Sequence, residues 1–226
     1  MSVFNGMLPH VMTVTVLVPA AGSGERLGLG PKAFLPLGDT TILGQTLRAF
    51  AGMSVVVAVS KDMLPEAESY ETDKVKLIVG ADTRQETVMR LLKATNSELV
   101  LIHDAARPFL KFEVIEKSIV AARIHGAASV VKKVADTFVS LDGATVDRDA
   151  LRAVQTPQTF KRALLVKAHR HAAENNLQAT DDAALVRILG HEVKLIEGDT
   201  WLDKITTPAD YARAQALIPI WRNHET

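Results

Sequence analysis

The chain has 226 residues, 47% of them apolar, and its 26 basic and 26 acidic side chains leave a formal net charge of zero. This length favours one α/β domain with a minor appendage, and the balanced charge argues against a nucleic-acid or membrane surface. The absence of cysteine excludes a disulfide framework, a thiolate metal site and a cysteine nucleophile. It also fits a reducing cytoplasm, where we expect the protein to act.

Apolar runs rich in β-branched residues alternate along the chain with helical patterns. In chain order the sequence predicts a strand at 11–18, a helix at 42–51, strands at 54–60 and 76–79, a helix at 83–94 capped by Asp82, a strand at 98–102, a helix at 112–124, a strand at 128–131, a helix at 161–175, a capped helix starting at Thr180, a strand at 192–196 and a final helix after Pro208. Because the strands are continuously apolar and separated by helices, they predict a doubly wound, mostly parallel sheet of the Rossmann-like α/β class. The run at 11–18 is too short to cross a bilayer, and the N-terminus lacks the features of a signal peptide.

One stretch interrupts this alternation. Two short extended runs flank an Asp-Gly pair at 142–143, which is a strong hairpin signal. A lone hairpin has little core of its own, so we expect this arm, at about residues 134–155, to pack on another surface, of which a partner subunit is one candidate. A Thr-Pro-Gln turn is predicted at 156–158. The predicted organisation is a single domain over residues 11–226 with this inserted hairpin arm.

The first predicted strand leads into the glycine-rich stretch VPAAGSGERLGLGPKAFLPLG. A dinucleotide fingerprint would need a third glycine where Leu27 stands and an acidic residue after the next strand, which ends at Ser60. A Walker A motif is disfavoured because Pro31 precedes the loop lysine. The open backbone amides, with Arg26 and Lys32, fit a triphosphate that is attacked at its α-phosphorus. The alternative is a tight turn with two solvated cations.

Further polar residues follow other predicted strands, at the sheet edge where such folds bind ligands. Asp104 and Arg107 would stand in this crevice beside small residues that leave room for a ligand; alternatively they form a helix cap and a surface ion pair. Arg84 and Thr87 could touch a nucleotide or merely cap a helix. His103 could line the crevice, although a structural role is favoured.

The seven histidines show no metal-ligand spacing, and the sequence supports no Ser-His-acid arrangement. His169 and His171 lie two residues apart on a predicted helix and therefore point to different faces. Catalysis would then proceed by positioning and electrostatics, as is typical of phosphoryl and nucleotidyl transfer.

A set of motifs occurs in one order along the chain: PAAGSGERLGLGPKAFLPLG, IHDAARP, TVDRDAL, QTPQTF, TDDAALV and GD…KITTPAD, within residues 16 to 214. This ordered set resembles the 2-C-methyl-D-erythritol 4-phosphate cytidylyltransferase family. The resemblance implies transfer of a cytidylyl group from CTP to that sugar-alcohol phosphate, with release of pyrophosphate, in the non-mevalonate route to isoprenoid precursors. The alternatives are a related cytidylyltransferase acting on ribitol 5-phosphate, and a non-catalytic nucleotide-binding module.

The resemblance also implies roles for individual residues. The nucleotide would be bound by Pro19, Ala20, Ala21, Gly22, Gly24, Thr87, Asp104 and Ala105. The implied catalytic residues are Arg26, Lys32, Arg148 and Lys204. The first two would stabilise the α-phosphate under attack, and the last two would hold the attacking phosphate. The acceptor would be bound by Arg107, Thr137, Arg148, Thr180 and Lys204.

The resemblance further implies Mg²⁺, held mainly by the CTP phosphates, with no predicted protein ligand. It implies a nucleotidyltransferase domain that forms a homodimer, in which the hairpin arm carries Arg148 into the partner's site. No nucleic-acid or membrane partner is expected. The chain departs from the family's usual pattern in having Arg152 after Leu151, where a tryptophan is common, and Asp203 before Lys204, where an asparagine is common.

Overall fold

The computed structural model describes residues 12–22, 24 and 27–225. Its strands are β1 (Val14–Pro19), β2 (Pro36–Leu37), β3 (Thr40–Thr41), β4 (Ser54–Val59), β5 (Val75–Val79), β6 (Leu99–Ile102), β7 (Ala127–Lys133), β8 (Phe138–Val139), β9 (Thr145–Val146), β10 (Arg152–Lys161) and β11 (Lys194–Glu197). Its α-helices are α1 (Ile42–Arg48), α2 (Leu64–Ala67), α3 (Arg84–Lys93), α4 (Phe112–His125), α5 (Arg162–Glu174), α6 (Asp182–Ile188) and α7 (Pro208–Glu225). Within these residues, no helix combines the length and apolarity that a membrane span requires.

Seven strands form the central sheet, in the order β11-β7-β10-β6-β1-β4-β5. Strand β10 runs antiparallel to both of its neighbours. All other pairs in this sheet are parallel. The prediction of a mostly parallel, Rossmann-like α/β sheet is therefore confirmed.

Helices cover both faces of the sheet, as β1 illustrates. Val16 and Val18 belong to the apolar cluster that includes residues of α1, α2 and α4, whereas Leu17 packs into the cluster built with α3, α5 and α6. All three side chains are fully buried. Successive residues of a strand point to opposite faces, so a strand covered on both sides is continuously apolar, and this explains the pattern seen in the sequence.

The prediction of a turn at 156–158 was wrong. These residues lie inside β10, a ten-residue central strand whose register with β7 shifts between Val154 and Gln158. Because a bulge removes a residue from the hydrogen-bond ladder, it accommodates Pro157, which has no N–H to donate. The segment looked like a turn because it is polar, yet Gln155, Thr156 and Gln158 are buried.

Two helix starts also differ from the predictions. The N-cap of α3 is Thr83 rather than Asp82, because the Thr83 hydroxyl and the Glu86 carboxylate form a reciprocal capping box. Helix α6 begins at Asp182, and its N-cap is Asp181, whose carboxylate accepts a hydrogen bond from the Ala184 amide. The other predicted elements are present with shifted ends.

The predicted hairpin forms as β8 and β9, which pair in an antiparallel ladder of their own. Gly143, in the turn between them, has a φ of 88°, which only glycine adopts readily. The hairpin side chains are mostly exposed, including Phe138 and Leu141. Residues 152–155, at the end of the predicted arm, instead belong to the central strand β10.

Candidate active site

A cavity of about 330 Å³ opens at the carboxyl ends of the parallel strands. It is lined by Pro19, Ala20, Ala21, Gly22, Gly24, Leu27, Lys32, Ala33, Ala81, Asp82, Thr83, Arg84, Thr87, Asp104, Ala105, Ala106, Lys204 and Thr206. The structure thus brings together every residue predicted to bind the nucleotide, along with Lys32 and Lys204. Arg26 lies outside the described residues.

Close packing inside the glycine loop gives the first wall of this cavity its shape. Gly24 has a φ of 75°, and a Cβ placed there would lie 2.4 Å from the Gly30 carbonyl oxygen and 3.0 Å from the Lys32 amide nitrogen. Pro31 is the N-cap of the 3₁₀ helix Lys32–Phe34, whose Ala33 and Phe34 are buried. Gly24 therefore lies against Gly30 and Lys32, and the buried Ala33 and Phe34 fix the base of the Lys32 side chain at the cavity wall.

The loop between β5 and α3 forms the second wall. The Thr87 hydroxyl accepts a hydrogen bond from the Ala81 amide (2.9 Å) and donates one to the Ala81 carbonyl (3.2 Å). Arg90 Nη1 donates to the Gly80 carbonyl at 2.5 Å. Thr87 thus lines the cavity while its hydroxyl holds the loop, and its contact with cytosine or ribose stays a prediction.

Asp104 is the buried carboxylate of the site, and three cations surround it. Lys204 Nζ donates to Oδ2 at 2.8 Å, Arg107 Nε lies 3.6 Å from the same oxygen, and Arg84 Nε lies 3.7 Å from Oδ1. Burial alone would raise the pKa of Asp104, but the Lys204, Arg84 and Arg107 charges outweigh it and hold the pKa well below its usual value. Asp104 is therefore ionised at neutral pH.

His103 lies behind the crevice and is fully buried, so the favoured structural interpretation is confirmed. The Asp104 amide donates to the Thr156 hydroxyl at 3.1 Å, and that hydroxyl lies 3.1 Å from His103 Nδ1. The hydroxyl proton is then available to Nδ1, and Nε2–H donates to the Arg107 carbonyl at 3.0 Å. Burial lowers the pKa of His103 from 6.5 to about 4, so the ring is neutral and joins β10 to the turn that carries Asp104 and Arg107.

Lys204 is positioned by its neighbour in the chain. The Ile205 amide donates to the Ala106 carbonyl at 2.9 Å, and the Ile205 side chain is buried in a cluster with Trp221 of α7. The segment therefore runs along the crevice and directs the Lys204 side chain at Asp104. This long-range placement could not be predicted from the lone lysine in the sequence.

A smaller cavity of about 210 Å³ shares Arg84, Asp104 and Lys204 with the first. Its remaining lining residues are Arg107, Val154, Gln155, Thr156, Gln158, Thr180 and Asp181. Three of the residues predicted to bind the acceptor, Arg107, Thr180 and Lys204, are therefore together here. Gln155 and Gln158 were not predicted as site residues, because Gln155 fell in the predicted arm and Gln158 in the predicted turn, whereas both lie in β10.

The remaining two predicted acceptor-binding residues lie on the arm. Thr137 and Arg148 are exposed, and neither lines either cavity. Arg148 Nη1 donates to the Ala135 carbonyl at 2.9 Å. A single chain therefore does not bring Arg148 to the site, and its entry into a partner's site stays a prediction.

The described residues contain no group of three or more His, Asp or Glu side chains placed to hold a metal ion. The carboxylate facing both cavities, Asp104, is already surrounded by cations. Mg²⁺ held mainly by the CTP phosphates stays a prediction.

The mostly parallel sheet, the glycine loop at its carboxyl edge and the cationic crevice define a nucleotidyltransferase-like α/β protein. The family model of 2-C-methyl-D-erythritol 4-phosphate cytidylyltransferase matches residues 14–219. The chain belongs to this family.

Similar proteins cover nearly the whole chain. A 2-C-methyl-D-erythritol 4-phosphate cytidylyltransferase from Thermus thermophilus is 44% identical over 214 residues, which are 93% of this chain and 99% of the relative. The protein of the same name from Deinococcus radiodurans is 46% identical over 218 residues, 92% of each chain. The crystal structure of the Thermus thermophilus enzyme superposes with a TM-score of 0.82 and covers 92% of this chain and 100% of its own.

Proposed function

We propose that this chain transfers the cytidylyl group of CTP to 2-C-methyl-D-erythritol 4-phosphate. A phosphate oxygen of the acceptor attacks the α-phosphorus of CTP and forms a new P–O bond, while the bond to the β-phosphate breaks and pyrophosphate leaves. The observation that carries this proposal is the pair of adjoining cavities, which share Asp104 and Lys204. One cavity has the glycine loop suited to a triphosphate, and the other has the cations suited to a phosphate monoester.

The reaction needs little proton chemistry from the protein. A phosphate monoester has a second pKa near 6, so at neutral pH the attacking oxygen already carries negative charge. The main requirement is to bring two anions together and to stabilise the charge that develops at the α-phosphorus. A crevice with several fixed cations meets this requirement.

In this proposal the cations divide between the two anions. Lys32, with Arg26, neutralises the α-phosphate under attack, and Arg107 and Lys204 attract the acceptor phosphate. Lys32 lines the larger cavity, Arg107 the smaller, and Lys204 both. Thr180, in the smaller cavity, offers a hydroxyl for hydrogen bonding to the acceptor.

Mg²⁺ enters this proposal as part of the CTP complex. When bound, it neutralises phosphate charge and orients the triphosphate. The proposed setting is the cytoplasm, where nucleoside triphosphates are available.

We also propose a homodimer in which each arm reaches the partner's site. Exposed apolar residues of the arm, including Phe138, Val139 and Leu141, support this proposal because they lack a core in the single chain. Thr137 and Arg148 would complete the acceptor site from the partner's arm.

The experiment is to incubate the protein with CTP, Mg²⁺ and one acceptor at a time, and to measure pyrophosphate. We expect turnover with 2-C-methyl-D-erythritol 4-phosphate and little with ribitol 5-phosphate. Turnover with ribitol 5-phosphate alone would contradict the proposed acceptor. CTP binding without turnover on either acceptor would indicate a non-catalytic nucleotide-binding module.

A further inference from the structure

A buried chain of charged and polar side chains leads from the back of the domain to the active-site crevice. His169 Nε2 lies 2.9 Å from Asp182 Oδ1, and Arg84 Nη1 lies 2.8 Å from Asp182 Oδ2. Arg84 continues to Asp104, which holds Lys204. This network of side chains thus joins helices α5, α6 and α3 to the crevice that both cavities share.

The inner part of this network, His169 and Asp182, is buried. The side chains of His169 and Asp182 are each 1% exposed, and Asp182 Oδ2 accepts no hydrogen bond of good geometry among the described residues. Burial would raise the pKa of Asp182, but the Arg84 charge and the His169 hydrogen bond keep the pKa below its usual value. A buried ionised carboxylate is tolerated only when paired, so Asp182 depends on its two partners for its charge.

The outer part of this network lines the two cavities of the candidate site. The Arg84 side chain is 31% exposed, and it lines both cavities, as do Asp104 and Lys204. The Arg84 guanidinium lies between two carboxylates, 2.8 Å from Asp182 and 3.7 Å from Asp104, so it attracts Asp104 by charge rather than by a hydrogen bond. Lys204 is a mobile point charge on a flexible stem, and a fixed Asp104 limits where its Nζ can lie.

We propose that His169, Asp182 and Arg84 are positioning residues, which hold the Asp104 carboxylate and through it the Lys204 ammonium at the acceptor phosphate. This inference rests on the proposed function. The outer end of this network, Lys204, lines both cavities, where it would meet a ligand phosphate. Although Asp104 and Lys204 line both cavities, the ligand assigned to Lys204 is the acceptor phosphate, whereas Lys32 and the glycine loop, which face CTP, lie outside this network. Loss of the inner partner is therefore expected to weaken acceptor binding more than CTP binding.

The test compares three variants of the whole protein with the wild type. His169→Leu removes the donor to Asp182, and His169→Gln keeps an N–H that can reach it. His171→Leu, on the same helix, is the control, because His171 lies beside Asn175 rather than Asp182. We expect His169→Leu to raise the KM for the acceptor about tenfold, the lower end of the loss known for residues that orient metal ligands, with a small change in the KM for CTP.

We expect His169→Gln to recover most of this loss and His171→Leu to behave as the wild type. Equal changes in both KM values, or lowered thermal stability with unchanged KM values, would overturn the proposal. If His169→Leu fails to fold, Arg84→Lys is the second variant; it keeps the charge but loses the planar fork, and the same selective rise in KM is expected.

A readout that does not depend on turnover separates this proposal from the proposed function. Acylation of Lys204 by acetic anhydride, followed by mass spectrometry, reports how firmly its ammonium is held by Asp104. We expect labelling of Lys204 to rise several-fold in His169→Leu and Arg84→Lys, and not in His171→Leu. Unchanged labelling would overturn the positioning role. Failure of the wild-type protein to release pyrophosphate with any acceptor would contradict the proposed function but not the positioning role.

Discussion

His103 shows how one residue supports the site without touching a ligand. Its two ring nitrogens lie within hydrogen-bond distance of Thr156 and of the Arg107 carbonyl, and its ring forms a T-shaped pair with Phe50 at 5.4 Å between centroids. The sequence placed His103 beside Asp104, but it gave no sign that Thr156 would be the partner, 53 residues further along the chain. A residue's partners across the fold depend on packing that no local pattern encodes.

The lowered pKa of His103 makes the stability of the protein depend on pH. Between the unfolded pKa of 6.5 and the folded pKa of about 4, the unfolded chain binds a proton that the folded chain does not. The free energy of unfolding therefore falls as pH drops, by about 2 kcal/mol from this residue between pH 7 and pH 5. Urea unfolding of the wild type and of His103→Asn gives the free energy of unfolding at pH 7 and pH 5. The contribution of His103 is the difference between the two proteins in how much this free energy falls.

We expect His103→Asn to be less stable at pH 7 and to lose less stability on acidification. His125→Asn is the control, because His125 is exposed at the end of α4. It should keep the wild-type pH dependence. If His103→Asn loses as much unfolding free energy on acidification as the wild type, the assignment of a buried neutral imidazole is contradicted.

At the scale of elements, two loops at strand ends form the nucleotide cavity by close contact. A Cβ at Gly80, after β5, would lie 2.4 Å from the Ala21 Cβ in the loop after β1. Because real Cβ atoms do not approach so closely, the two loops meet only if residue 80 is glycine. The glycine loop after β1 is visible in the sequence, but its contact with the loop after β5 depends on the parallel pairing of β1, β4 and β5.

Gly80→Ala is expected to push the loop after β1 away and to widen the cavity. We expect the KM for CTP to rise by about tenfold or more, since a displacement of around 1 Å in a site can cost about a hundredfold in rate. Steady-state kinetics with varied CTP measures the effect.

Gly52→Ala is the matched control for this change. Gly52 has a φ of 81°, with no neighbouring atom within 4 Å of an added Cβ. Alanine there should cost about 1 kcal/mol of stability through backbone strain while the KM for CTP stays the same. A wild-type KM in Gly80→Ala would show that the two loops adjust without altering the cavity.

For the whole molecule, the main question is where the hairpin arm acts. Arg148 is exposed in the single chain, and its guanidinium donates a hydrogen bond to the Ala135 carbonyl. In the proposed homodimer, each of the two sites would combine Lys32 of one subunit with Arg148 of the other. A mixture of complementary variants distinguishes this arrangement from one in which each chain completes its own site.

Lys32→Ala and Arg148→Ala should each lose about a hundredfold or more in turnover, as expected for a donor to a developing charge. After mixing and subunit exchange, half of the dimers are mixed, and each has one site with both residues. Recovery of about a quarter of the wild-type activity is therefore expected for a closed two-fold dimer. Differently tagged subunits verify that mixed dimers form, and no recovery in their presence would contradict the shared site.

The sequence by itself determined the layered architecture and the location of the glycine loop. Continuous apolar runs occur because both faces of a parallel sheet are buried, and helical spacing follows from the α-helix period; both are local consequences of backbone geometry. The same reasoning failed for β10, because buried glutamine and threonine resemble turn residues until their partners are known. The polar Gln158 is satisfied by the Ala183 amide of α6, at 3.0 Å.

The tertiary structure alone decided how the charges of the site are paired. Lys204 and Asp104 are 100 residues apart in the chain and 2.8 Å apart in the fold. His169, read from the sequence as one of several histidines without a role, becomes the end of a buried chain that reaches Asp104. A buried charge is stable only beside a partner, and that partner is selected by the packing of whole helices and strands.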